Sequence, residues 1–343
     1  HHHNQSPTPT VIEDYSPRPS ETPTLHQESD TRSGVDLRYT KKIPTCYLNL
    51  SYRYYRHRHE TEGVGGLLQV INEEQVLADG EISLLKKPYV ELPTVMVKDL
   101  TGGIIYQLNF DYILLERSGF VEIQRVPGGQ IPNNASVYVD YTFTQPGNYS
   151  YAANNNQFSA SILLFQRFVE LYYRYSVQDY PKVIQGDLLT LNYYSQHVYG
   201  LRLDVGFARG GIESDQYKSN IIPYKMWRYY LDMNWTFKSK LLFTVSGNIR
   251  DYRMIAEEVD QLYANVSGKA TYRIRPRMQV SIESGYLSQR GTNVDLDLLT
   301  ARAELHSAFN KLHLRFGIEM YRRVYLNSDF AFNGGYVRLT RKF

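Results

Sequence analysis

The 343-residue chain has one cysteine, Cys46, so no disulfide framework can hold it together. It has no apolar stretch near the roughly 18 residues that a membrane-crossing helix needs. Its longest apolar runs span a few residues, as from Ile162 to Phe165. Charge of one sign is also scarce: 38 Lys and Arg against 35 Asp and Glu leave +3, and no nucleic-acid partner is expected from so weak a field. The chain opens on neither Met nor a signal peptide. It reads as a mature form or an expressed piece, which leaves its natural start open. What is abundant is tyrosine, 31 residues within a 14% aromatic content, too much for a wholly disordered chain. Tyr favours strands and interfaces, where one end of the ring is dry and the other wet.

The first residues, His1 to His3, read as a tag remnant. Residues 4 to about 34 are rich in Pro, Ser, Thr and Glu, including Pro7, Pro9, Pro17, Pro19 and Pro23. Such a segment cannot bury enough apolar area to offset its ordering entropy, so 1–34 is expected to be a disordered linker.

From Phe158 onward the dominant hydrophobic period is two. Trp227, Tyr229, Leu231, Met233, Trp235 and Phe237 share one parity, while Arg228, Tyr230, Asp232, Asn234 and Thr236 share the other. Leu312, Leu314, Phe316, Ile318 and Met320 likewise oppose His313, Arg315, Gly317 and Glu319. A helix would mix these sets on every face, and a strand separates them. The pattern predicts strands near 46–57, 154–164, 168–178, 188–196, 199–209, 224–237, 240–252, 262–274, 277–288, 297–309, 311–324 and 330–343. A further strand over 35–43 would make thirteen. Tight turns are expected near 166–167, 197–198, 238–239, 275–276 and 310, with longer loops near 179–187, 210–223, 253–261, 289–296 and 325–329. That short–long rhythm suits a membrane barrel, and a tilted strand of about 9–11 residues crosses a bilayer.

The chain closes on Tyr336-Val337-Arg338-Leu339-Thr340-Arg341-Lys342-Phe343. This ending resembles the last strand of bacterial outer-membrane β-barrel proteins, with a terminal aromatic and apolar residues at alternate positions. The resemblance implies that Val337, Leu339 and Phe343 form the signal read by the barrel-assembly machinery. Arg341 departs from the pattern at one outward position. The expected fold is all-β: a transmembrane antiparallel up-and-down barrel of about twelve strands in the bacterial outer membrane, both termini periplasmic. Its partners would be membrane lipid and lipopolysaccharide.

Residues 60–146 differ in character. They carry Pro88, Pro93, Pro127, Pro132 and Pro146 and turn signals at Thr101-Gly102-Gly103 and Pro127-Gly128-Gly129. Short strands are expected at 94–99, 104–108, 111–116, 119–125 and 136–143, forming an inserted β-sandwich-like domain between the barrel pieces 35–59 and 147–343. The run from Thr94 to Tyr141, with Asp99-Leu100-Thr101-Gly102, Phe110-Asp111-Tyr112 and Val139-Asp140-Tyr141, resembles β modules of uncharacterised large outer-membrane barrels. Counting strands back from Phe343 puts the insert outside the cell. The insert or the linker is the place for a protein partner.

The inward parity carries Arg53, Arg174, Arg202, Arg228, Arg250, Lys269, Arg273, Arg302, Lys311, Arg315, Arg323 and Arg338. Its acids are Glu170, Asp204, Asp232, Glu283, Glu304 and Glu319, about half as many. One reading is a water-filled, porin-like conduit for small polar solutes with a mild anion preference. The other is a filled, ion-paired interior bonded along each strand, as in Arg202/Asp204, Arg302/Glu304 and Arg315/Glu319. The chain would then be a non-conducting anchor or scaffold that displays the insert and binds a partner in a larger secretion or electron-transfer assembly. His306 and His313, inward on adjacent strands, could approach each other near Glu304, yet polar lumen lining accounts for them. His57 and His59 in Arg56-His57-Arg58-His59-Glu60 read as a basic tip touching lipopolysaccharide phosphates. No Ser/His/Asp or Asp/His constellation stands out, so no enzyme, cofactor or metal is expected.

Overall fold

The computed structural model describes residues 8–16, 26–63, 65–145, 147, 149–184, 191–291, 294–309, 312–326 and 328–341. Its strands begin with β1 (Thr8–Ser16), β2 (His26–Ile43) and β3 (Cys46–Gly63). Six shorter ones follow: β4 (Gly66–Leu77), β5 (Ser83–Leu84), β6 (Met96–Lys98), β7 (Tyr112–Arg117), β8 (Phe120–Arg125) and β9 (Ala135–Gln145). Long strands then resume with β10 (Tyr149–Leu164), β11 (Val169–Ile184), β12 (Tyr194–Asp204), β13 (Ala208–Ser219), β14 (Tyr224–Phe237) and β15 (Leu241–Met254). The last are β16 (Val259–Arg275), β17 (Met278–Gly291), β18 (Val294–Phe309), β19 (Leu312–Tyr325) and β20 (Ser328–Arg341).

The long strands make one up-and-down sheet of fourteen, in the order β1, β2, β3, then β10 through β20. This corrects the expectation of a closed barrel of about twelve. The strands read from alternation match β3, β10, β11 and β14–β20, the further strand over 35–43 is the second half of β2, and β1 is added. The pair read at 188–196 and 199–209 is misplaced, because β12 runs Tyr194–Asp204 and β13, Ala208–Ser219, occupies most of the stretch read as a loop over 210–223. Among the described residues no pairing joins β20 to β1, so the sheet is open. The segment read as a linker supplies β1 and the start of β2. Pro9, opposite Leu37, sits in β1 at the sheet edge, where a strand can lack a ladder N–H without loss.

The turn expected at His197-Val198 lies inside β12 instead. The chain reverses at Val205-Gly206-Phe207, where Gly206 takes φ +83°. That left-handed conformation favours glycine, and neither His197 nor Val198 offers it. The long loops are also corrected. The connection between β15 and β16 spans only 255–258, and β17 to β18 only 292–293, because the strands run further than alternation indicated.

The chain divides into two compact units, residues 1–164, 171–199 and 215–224 in one and 165–170, 200–214 and 225–343 in the other. In the first unit the insert leaves and re-enters the sheet between paired neighbours: β3 and β10 are in register, with Thr61 opposite Tyr149. The insert comprises two three-stranded sheets, β4-β9-β6 and β5-β8-β7. Both feed one core, with Leu77, Val97, Val137, Val139 and Tyr141 from the first sheet and Ile123 from the second. The strand expected at 104–108 reduces to two isolated bridges, Ile105 to Lys98 and Leu108 to Tyr112. The unforeseen β4 carries a register shift between Val70 and Glu73, with Asn72 at φ 58°, which breaks its alternation.

Three carboxylates of the insert are held by ion pairs. Arg117 pairs with Glu122 at 2.9 Å, Lys98 with Asp140 at 2.5 Å, and Arg125 with Asp79. The buried Glu73 carboxylate accepts from Tyr141 Oη at 2.5 Å, Gln75 Nε2 at 2.6 Å and the Lys86 amide at 3.0 Å. Burial, followed by the bond to Glu73, pushes the Tyr141 phenol well above its ordinary value. Removing that hydroxyl leaves a buried carboxylate oxygen short of a donor. Tyr141→Phe is therefore expected to destabilise the insert by about 1–3 kcal/mol, read as a lower urea midpoint for protease resistance of 65–147. Because the folded phenol titrates above the unfolded one, the wild-type advantage is complete below about pH 10 and fades as pH rises above it.

Candidate functional site

The two faces of the second unit differ in kind. One exposes Trp227, Tyr229, Leu231, Trp235 and Phe237 of β14, and on β19 and β20 Ile318, Val337 and Leu339 are 66%, 67% and 66% exposed. The other face bears the polar parity. On β16 to β19, register sets Lys269 opposite Glu283, Glu283 opposite Arg302 and Arg302 opposite Glu319. The result is a transverse row of alternating sign. Lys269 Nζ lies 3.1 Å from Glu283 Oε2, and Arg302 Nη2 3.1 Å from Glu319 Oε2. Each pair is about half exposed and contributes at most about 1 kcal/mol.

Among the described residues the same-strand pairs expected along this face make no hydrogen bond or contact ion pair. Arg202 bonds Glu170, not Asp204, which takes Arg209 at 2.7 and 2.8 Å. Directly opposed residues sit about 4.5–5.5 Å apart at Cβ, closer than i,i+2 neighbours on one strand, so cross-strand pairing wins.

One level away Tyr336 Oη donates to Glu304 Oε2 at 2.6 Å. It reaches there across Gly317, because register places Glu304 opposite Gly317 and Gly317 opposite Tyr336. A Cβ on Gly317 would fall within the Tyr336 ring. Arg302 also lies over that ring at 5.6 Å. His306 and His313 do meet: Nε2 and Nδ1 are 3.3 Å apart and the rings stack at 5.5 Å. Arg315 stands opposite both His306 and Arg338.

Elsewhere Arg228 donates to Asn248 at 3.3 Å and lies over the Tyr230 ring. Arg250 is buried and Asp232 exposed. Arg174, in the first unit, lies over Tyr172. Phe343 and Lys311 lie outside the described residues.

In the first unit a cavity of about 1080 Å³ is lined by Asp30, His57, His59, Glu73, Tyr149 and Tyr180, among others. The expected basic tip is not free: His57 Nε2 and His59 Nδ1 lie 2.9 and 2.7 Å from one oxygen of Asp30. Asp30 was missed because its segment has linker composition. The His-x-His spacing, which puts both rings on one face of a strand, was the available signal.

No family model matches the chain, and no curated protein matches it. Similar solved structures include a loop L8 deletion mutant of OmpT, an outer membrane protein of Vibrio cholerae, at 12% identity and TM-score 0.29, covering 97% of each chain. In-vitro folded OmpT of the same organism is 11% identical with TM-score 0.27, covering 98% of this chain and 91% of that one. Its trimer form is 11% identical with TM-score 0.25, covering 98% and 93%. TM-scores this low carry no argument about function, which is drawn from the geometry above.

Gly317→Val is expected to drive the Tyr336 ring off Glu304 and cost about 1–3 kcal/mol, seen as a lower thermal midpoint of the folded protein.

Proposed function

We propose that this chain is a β-sheet wall of the bacterial outer membrane whose polar face borders a water-filled path for small polar solutes. The observation that carries this is the opposition of the two faces. A continuous exposed surface of Trp, Tyr, Leu, Ile and Val backs a face of charged, ion-paired groups. An apolar surface of that extent suits lipid and is foreign to water-soluble monomers. In lipid each sheet edge must also find backbone partners, so the reading requires strand backbone to cover β1 and β20. Fourteen strands fall between the eight of filled barrels and the 16 of conducting porins. Counting from a periplasmic C-terminus supports an extracellular insert. Val337, Leu339 and Phe343 would be the assembly signal, and lipid and lipopolysaccharide the surroundings.

A second reading rests on the insert, which has its own buried core and hangs between paired residues of β3 and β10. There the sheet anchors a display module for a partner protein. Deleting 65–147 would then remove partner binding and leave the sheet folded.

Folded protein in planar bilayers is expected to give step conductances, and their absence would overturn the conduit. Lys269→Gln with Arg302→Gln should shift the reversal potential toward cation preference. Ile318→Lys is expected to cost about 2–4 kcal/mol in lipid unfolding if the site lies near the midplane. A water-facing residue would change stability by less than about 0.5 kcal/mol.

A further inference from the structure

We propose that Asp30, His57 and His59 form a binding site for one divalent first-row transition-metal ion. The three ligand atoms lie within 4.8 Å of one another. They come from neighbouring strands. His57 and His59 alternate on β3, and Asp30 of β2 stands directly opposite His59. His57 Nε2 and His59 Nδ1 both approach Asp30 Oδ1, at 2.9 and 2.7 Å. Tetrahedral zinc sets its ligand atoms about 3.3 Å apart. The two histidine–carboxylate separations widen by about half an ångström to meet this, and half-exposed Asp30 has room for that movement.

The surroundings match those of a metal site. The far nitrogen of His59, Nε2, lies 2.8 Å from Thr61 Oγ1 and 3.1 Å from Tyr149 Oη. With Nδ1 on a metal, Nε2–H donates to one of these oxygens, which fixes tautomer and ring orientation. The ring, 6% exposed, stacks on Tyr151 at 5.1 Å and faces Tyr149 at 5.4 Å. His57 meets Tyr151 edge-on at 6.1 Å. Nearby cations are engaged elsewhere: Arg58 pairs with Glu60, and Arg32 lies 3.9 Å over the Tyr55 ring.

Two neutral imidazoles and one carboxylate give a ligand set of charge −1 and of the N/O type that suits zinc, nickel, copper or iron. The adjoining cavity gives the ion an entry path and leaves its remaining positions open to water or a small ligand.

The test uses folded full-length protein with His1–His3 removed, because that tract would bind metal itself. Equilibrium dialysis against Zn2+ at pH 7.5 is expected to give one ion per chain, with weaker binding on acidification as the imidazoles protonate. Co2+ should give a visible absorption band at the same stoichiometry. His57→Ala touches a partly exposed side chain and should lower affinity at least tenfold without changing the mobility of unheated folded protein on gels. Asp30→Asn should act likewise. The paired change His306→Ala/His313→Ala should leave binding unchanged. Equal uptake by wild type and His57→Ala would overturn the proposal, as would loss of uptake in the His306/His313 variant.

Discussion

Everything in this sheet depends on backbone pairing between neighbours in chain order. Each inner strand of the sheet satisfies its N–H and C=O groups against a neighbour on either side, and the edge strands β1 and β20 against one. That arrangement forces successive side chains to opposite faces, so a sequence with a period of two acquires two surfaces of different chemistry. On β14 one surface is Trp227, Tyr229, Leu231, Trp235 and Phe237, and the other begins with Arg228 and Tyr230. The same ladder decides electrostatics, since it sets which charges stand opposite each other.

Alternation made the architecture legible in the sequence. It located β3, β10, β11 and β14 through β20, because a half-buried strand writes its burial into every second residue, and it misplaced β12 and β13. It failed where other physics intervened. At β12 the eye fell on His197-Val198, while the reversal was written in Gly206, eight or so residues on. At β1, proline-rich composition concealed a strand that lies at the sheet edge, where proline is tolerated, and the first half of β2 was hidden with it. In β4 a bulge beside Asn72 erased the period.

The polar face was legible as a set of residues and illegible as a set of bonds. Arg302 and Glu319 belong to different strands, and only register brings them together. Reasoning along one strand gave Arg302 to Glu304, whereas Glu304 is taken by Tyr336. His306 and His313 could be anticipated because a short turn joins their strands. Asp30, His57 and His59 could not, because the half of β2 that carries the acid was read as linker. Short-range pairs are encoded locally, and distant ones need the ladder first.

The bond from Tyr336 to Glu304 over Gly317 crosses three strands at once. Sliding β20 by one residue would turn Tyr336 to the apolar surface and leave Glu304 without its donor. Sliding β19 would bring a side chain under the ring in place of glycine. The tyrosine thus acts as a vernier for the C-terminal end of the sheet, admitting one alignment of the final strands and penalising its nearest neighbours from both sides.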